Sequence, residues 1–275
     1  MAPNTAASTL AAPTLGATRI AKWRPLDGPD LSGSSRLTAG GDTHAGMPDS
    51  WTVAEPSLPA LTCAYSFGPG LANALAFVVD GGVVVVSPPS RPTEGTFAEL
   101  EKHGPVRALI APNSFHHLGL PAWKARYPDA PIFAPAQSIA RIEKQSKLSG
   151  LRPVAEAAKL VGDRVELLDM PHYRTGEILI RWRVDGGWAW YVTDVAMNIT
   201  SPLKGLFGLV FRLTKSTPGF RRNAVGGTFM VKDKRALYAW IAEQAEKTPP
   251  RLLVMCHGAP VRPTDPPAEI RAALA

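Results

Sequence analysis

The chain of 275 residues has only two cysteines, Cys63 and Cys256, far apart in sequence. That excludes a disulfide framework and a zinc site built on paired thiolates, and a reducing compartment is the simplest reading. No apolar run approaches the ~20 residues that a membrane helix needs. The opening stretch MAPNTAASTLAAPTLGATRIAKWRP lacks a charged segment before a continuous apolar core, so no secretory signal is expected. Charged residues make up 19% and hydrophobic residues 45%, the balance of a globular protein rather than a disordered one. A cytoplasmic protein with no membrane partner is expected.

Acids are scarce in one place. Lys204, Arg212, Lys215, Arg221, Arg222, Lys232, Lys234 and Arg235 share a stretch whose only acid is Asp233, within a chain of net charge +7. Such a stretch could meet an anionic substrate, a nucleic acid or a membrane surface, but a solvated basic face is the plainer use. No aromatic and glycine pattern of an RNA-binding sheet accompanies it, so nucleic acid ranks last among the partners. A small-molecule substrate is expected, with an anionic one among the options. A homo-oligomer is left open.

Residues 1–50 are rich in Gly, Ala, Ser, Thr and Pro without sustained periodicity. They read as an irregular or mobile N-terminal segment ahead of one domain over residues 51–275. Two hairpins stand out, ALAFVVDGGVVVVS around Asp80 and EILIRWRVDGGWAWYVTD around Asp185. Between and after them, strands (RALIAP, PIFAPA, RVELLDM, RLLVMC) alternate with helical segments. These include TEGTFAELEKHG, LGLPAWKARYP, residues 137–148 and 153–160, and KDKRALYAWIAEQAEK with Leu237, Trp240, Ile241 and Ala245 on one face. LFGLVFRL could line a substrate pocket or a dimer surface, though a buried core helix is the more usual use, and the chain closes on a Pro-rich tail. Strand pairs followed by alternating strands and helices predict α/β layers, two sheets covered by helices.

The histidines fall at the ends of apolar runs. His116 and His117 follow RALIAP, His172 follows RVELLDMP and His257 follows RLLVMC, while Asp194 closes WAWYVT. Imidazoles and a carboxylate gathered at one sheet edge are the ingredients of a metal site. A lone histidine at a strand end is otherwise a hydrogen-bonded structural residue. Asn113 and Ser114 read as a helix cap, and Cys256 as a small packed hydrophobe.

The order of hairpin, strand with His cluster, strand with His, hairpin with Asp, and strand with His-Gly resembles the metallo-β-lactamase superfamily. APNSFHHLGLPAWKARYPDAPIFAP is similar to a divergent branch of it, a domain of unknown function, and the resemblance covers roughly residues 51–262. It implies a four-layer αββα sandwich with two mixed sheets and a metal site along one edge. Laid on the leading motif His-x-His-x-Asp-His, Pro112 and Ser114 stand at the first two histidines, His116 at the aspartate and His117 at the last histidine. His172 in MPHYRTGE matches the later histidine element imperfectly, and Asp194 in YVTDVAMN the metal-bridging aspartate. His257 in MCHGAP matches the final histidine, while Ser87 stands where a supporting aspartate is usual.

Of the dinuclear centre that the resemblance implies, the first metal loses its ligands. One Zn²⁺ or Fe²⁺ held by His116, His117 and His257 with Asp194 is the expected remainder. Asp194 would then orient an activated water and His172 would serve as general acid or base. The expected activity is hydrolysis of an ester, thioester, amide or phosphoester. The alternatives are a non-catalytic fold relic that binds a metal or small ligand, and, third, a basic nucleic-acid-binding member of the same fold.

Overall fold

Two Asp-Gly-Gly turns organise the molecule. The structure is a computed structural model that describes residues 50–275 apart from 58–59, 68–69, 202 and 204. The irregular segment expected over residues 1–50 therefore lies, except for Ser50, outside the described residues. The first turn joins β3 to β4 in a sheet of β1 (Thr52–Glu55), β2 (Ala60–Ser66), β3 (Leu71–Val79), β4 (Gly82–Val86), β5 (Val106–Ile110), β6 (Ile132–Ala134) and β7 (Arg152–Pro153), paired in that order. Gly81 turns there with φ +79°, a left-handed backbone that favours glycine.

Strands β1 to β4 pair antiparallel and β4 to β7 parallel. The parallel crossovers run through α1 (Glu94–Glu101), α2 (Leu120–Arg126) and α3 (Ala136–Ser146), and α4 (Ala158–Val161) follows. All five residues of β4 are buried, as expected of a parallel strand covered on both faces. Thr93 and Thr96 form a reciprocal capping box that starts α1.

The second half of the chain supplies β8 (Val165–Asp169), β9 (Ile178–Val184), β10 (Gly187–Val192), the ribbon β11 (Ala196–Ile199) and β12 (Gly219–Arg222), and β13 (Pro250–Met255). Its main sheet has the order β13-β10-β9-β8, with β10 and β13 parallel. Alternation along these strands divides the core. Ile178, Ile180, Trp182, Leu252, Val254 and Cys256 pack in the cluster shared with the first sheet. Leu179, Trp190, Leu253 and Met255 pack in the other cluster, with Leu237, Ile241 and Ala245 of α7 (Lys234–Lys247) and Ile270 and Leu274 of α8 (Pro266–Leu274). The layers are helix, sheet, sheet, helix, the expected four-layer αββα sandwich.

Two expectations fail. The Pro-rich tail is α8: the Asp265 side chain caps it by accepting the Ala268 N–H, and its prolines sit in the first turn, where a missing N–H costs nothing. The stretch LFGLVFRL forms α5 (Gly205–Leu213), but it is not a core helix. Phe211 is buried, while Leu206, Leu209, Val210 and Leu213 are exposed. One more helix, α6 (Ala224–Met230), precedes α7.

Topology places the site. Because β4 and β5 are parallel, Ser87 and the loop after Ile110 emerge at one edge of the first sheet. Because β10 and β13 are parallel, Asp194 and Cys256–His257 emerge together at an edge of the second.

Candidate metal centre

The loop after β5 is folded by one amide. Asn113 Oδ1 accepts the backbone N–H groups of Phe115 (2.8 Å) and His116 (3.2 Å). Its Nδ2 donates to Glu177 Oε2 and Asp194 Oδ2, both at 2.8 Å. Both amide hydrogens and both oxygen lone pairs are thus used, which ties the His116 loop to two buried carboxylates. The sequence reading of Asn113 as a helix cap is too small a role.

The other half of the site hangs from β10 and β13. Asn73 Nδ2 donates to Met255 O (2.8 Å) and Gly258 O (3.0 Å), and its backbone N–H to Cys256 O (2.7 Å). These bonds clamp the backbone on both sides of His257. Gly258 has φ +105°, and a Cβ there would stand 2.0 Å from Asn198 O, so only glycine fits after the histidine.

Three acceptors converge on one point. His257 Nε2 lies 2.9 Å from Asp194 Oδ1, and His116 Nε2 lies 3.4 Å from the same oxygen. His257 Nδ1 is 3.1 Å from Leu71 O, which can only accept, so Nδ1 carries a proton; without a metal Nε2 carries one toward Asp194 as well, and giving it up frees a lone pair at Nε2. His116 Nδ1 lies 2.6 Å from Ser87 Oγ, which is 2.7 Å from Tyr65 OH. With Nδ1 donating to Ser87, His116 also turns a lone pair toward Asp194. Two lone pairs and a carboxylate oxygen need protons or a cation between them. Donors held ~2.0–2.1 Å from a tetrahedral ion stand about 3.3 Å apart, and the observed separations of 2.9 and 3.4 Å bracket that figure. The residues present fit a divalent metal.

Cys256 joins the group. Its Sγ and one nitrogen each of His116 and His257 lie within 4.8 Å of one another. His116 meets Cys256 with Nδ1 (3.8 Å) and Asp194 with Nε2, so one ion cannot use both faces of the ring. The short bond from Ser87 to Nδ1 selects the Nε2 face, and Cys256 acts mainly through its charge.

Burial raises the carboxyl and thiol pKa values here, and the imidazoles oppose it. Burial pushes Asp194 upward, but His116 and His257 outweigh it and hold the carboxyl well below its usual range. Burial also opposes ionisation of Cys256, yet the same two rings bring its thiol down to about 7. Burial lowers His257, while Cys256 and Asp194 raise it to about 9. Glu177 is pushed well above the carboxylate range by burial and by the charge of Asp194. Burial pushes Tyr65 up to about 12, so its hydroxyl keeps its proton.

Of the residues expected from the sequence, His116, Asp194 and His257 come together. His117 and His172 do not, and both assignments are corrected. Residues 114–119 form turns, in which neighbouring side chains diverge. The His117 ring bonds Ser114 O through Nδ1 (2.9 Å) instead of joining the cluster. His172 sits at φ +63° with its carbonyl accepting the Lys232 N–H (2.7 Å). That stitch holds its turn against the connection from α6 to α7 and leaves the side chain exposed. The reading missed Glu177, whose signal was an acid abutting the apolar run ILIRW, as Asp194 abuts WAWYVT. Cys256 packs in the core as expected, and its Sγ also lies beside the two rings.

A cavity of ≈ 490 Å³ opens over His116, Asp194 and His257. Phe67 stands at its edge, packed edge-on against the His257 ring at 5.4 Å between centroids.

No sequence-family model and no curated protein matches the chain. Its fold matches a metallo-β-lactamase from Pontibacter korlensis at TM-score 0.57 and 11% identity, covering 82% of this chain and 98% of that one. It also matches a metallo-β-lactamase from Erythrobacter litoralis, solved with β-mercaptoethanol in its active site. Here the TM-score is 0.55 and the identity 16%, over 82% of this chain and 95% of that one. At such identities the likeness speaks of architecture. It agrees with the αββα layers: this chain has the metallo-β-lactamase fold.

Proposed function

We propose that the chain is a hydrolase that works with one divalent metal, Zn²⁺ or Fe²⁺, held by His116 Nε2, His257 Nε2 and Asp194 Oδ1. The observation that carries this reading is the convergence of those three acceptors, with each Nδ1 held by an oxygen on its far side. Two imidazoles and a carboxylate with a position left open is the ligand pattern of catalytic zinc and of non-haem iron sites. A divalent cation bound there would lower the pKa of a water toward ~7 and polarise a carbonyl or phosphoryl oxygen.

The chain's own groups prepare that chemistry. Asn113 donates to Asp194 Oδ2, which leaves Oδ1 turned toward the two Nε2 atoms. Ser87 and Leu71 O fix the two rings. Glu177, kept protonated by its burial, leaves Asp194 as the one charged carboxylate.

Metal analysis of protein purified without chelator tests the reading. Near-stoichiometric zinc or iron is expected, lost in His116→Ala and His257→Ala but retained in His117→Ala and His172→Ala. Turnover of ester, thioester and phosphodiester probes should disappear with the metal. Metal binding without any turnover would leave the fold-relic alternative standing.

A further inference from the structure

Among the described residues, the ionisable groups that line the cavity over the centre are Tyr65, His116, Asp194 and His257. The uncharged amide of Asn223 is also in the lining. The walls include Leu71, Leu118, Met197, Ile199, Phe211 and Phe229, and no lysine or arginine lines the cavity among the described residues. Of the basic stretch that suggested an anionic substrate, the described residues Arg212, Lys215, Arg221, Arg222, Lys232, Lys234 and Arg235 are absent from the lining. A charged group seated against the buried Met197 and Phe211 would shed water with no lysine or arginine partner among the described lining residues. A hydrocarbon gains roughly fourfold in affinity per buried methylene. The volume of ≈ 490 Å³ falls within the ~300–1,000 Å³ of small-molecule sites, enough for a chain of several carbons or a small ring system.

We infer that the site takes a neutral ester or thioester whose acyl chain lies along these apolar walls, with its carbonyl at the His116–Asp194–His257 end. The bond cleaved rests on the hydrolytic reading above; the chain rests on the cavity alone. In the reaction the oxygen of water bonds to the acyl carbon and the C–O or C–S bond breaks. One proton of the water ends on the alcohol or thiol, and the other is released as the acid ionises. The substrate is neutral and the charge appears only in the product.

Calorimetric binding of straight-chain methyl ketones to the full chain tests the occupant without a cleavable bond. Affinity should rise roughly fourfold per added methylene until the cavity is full. Methyl ketones of equal length that carry a carboxylate at the far end of the chain should bind more weakly. Affinity independent of length, or tighter binding of the carboxylated chain, overturns the inference. A parallel series of p-nitrophenyl esters from acetate to decanoate separates the two readings. Chain-dependent binding without turnover supports the acyl pocket and removes hydrolysis. Turnover that ignores chain length keeps hydrolysis and overturns the acyl pocket. Leu118→Lys and Phe229→Lys provide a second check, because these wall residues are 54% and 73% exposed and can accept a charge without unfolding the chain. Both should flatten the chain-length slope in folded protein; an unchanged slope counts against the assignment.

Discussion

Glu177 Oε1 accepts the backbone N–H of Asp194 at 3.1 Å, so one buried carboxyl group stands directly behind another. The Asn113 amide bridges their remaining oxygens. Close carboxyl groups cannot both ionise cheaply in a dry interior, and here burial and mutual charge divide them. Asp194 is held charged by the two imidazoles, and Glu177 is held neutral.

Removing the bridge should therefore be costly. Asn113→Ala leaves both carboxyl oxygens and two loop N–H groups without their partner, a loss of about 3 kcal/mol. Asn113→Asp, which adds a third acid, should lose more. Urea unfolding at neutral pH measures both, and a midpoint matching the unaltered protein in either variant would contradict the bridge.

Ser87→Ala should leave the fold intact, since Ala tolerates the φ of +52° no worse than Ser does. It deprives His116 Nδ1 of its oxygen, and such supporting bonds are typically worth 10–100-fold in metal affinity. Competition against a chelating dye reads the change. Unaltered affinity would show that the hydroxyl does not orient the ring.

Cys256 gives a pH signature in metal-free protein. Its ultraviolet thiolate absorbance, taken as the difference from Cys256→Ser, should appear as pH rises through about 7 rather than at the ordinary thiol value of 9.0. Folding lowers this pKa. The stability it contributes is therefore fully present above pH 9.0 and is lost as pH falls through about 7. A titration step at or above the ordinary value would mean that the neighbouring rings are not charged.

Gly258→Ala drives a methyl group into Asn198 O at a backbone angle that disfavours side chains. A destabilisation of about 1–3 kcal/mol is expected, with weakened metal binding because His257 is the adjacent residue. Denaturant midpoint and metal content, measured on the same sample, check it. Full metal occupancy with normal stability would show that the chain bends elsewhere.

The fold was legible where local pattern and long-range packing agree. Asp-Gly-Gly turns fix hairpins by backbone chirality alone, and the Leu237–Ile241–Ala245 face survives as a buried stripe. The centre was legible only in part. Asp194 and His257 were found because a polar residue ending an apolar run is visible along the chain. Which way consecutive rings point is set by the Asn113 turn, a contact between residues far apart in sequence, so His117 could not be told from His116. Cys256 looked apolar because it continues the inward face of β13, and its charge partners come from other segments. The exposure of His172 follows from a bond to Lys232, 60 positions downstream, which no local signal announces.

The centre straddles a seam. His116 follows a strand of the first sheet, Asp194 and His257 follow strands of the second, and Asn113 and Asn73 each bond across from one edge to the other. An ion seated between them would be a rivet through two plates. Loading it should slow amide hydrogen exchange in β5 and β13 together, and stripping it should free both at once, whatever reaction the protein carries out.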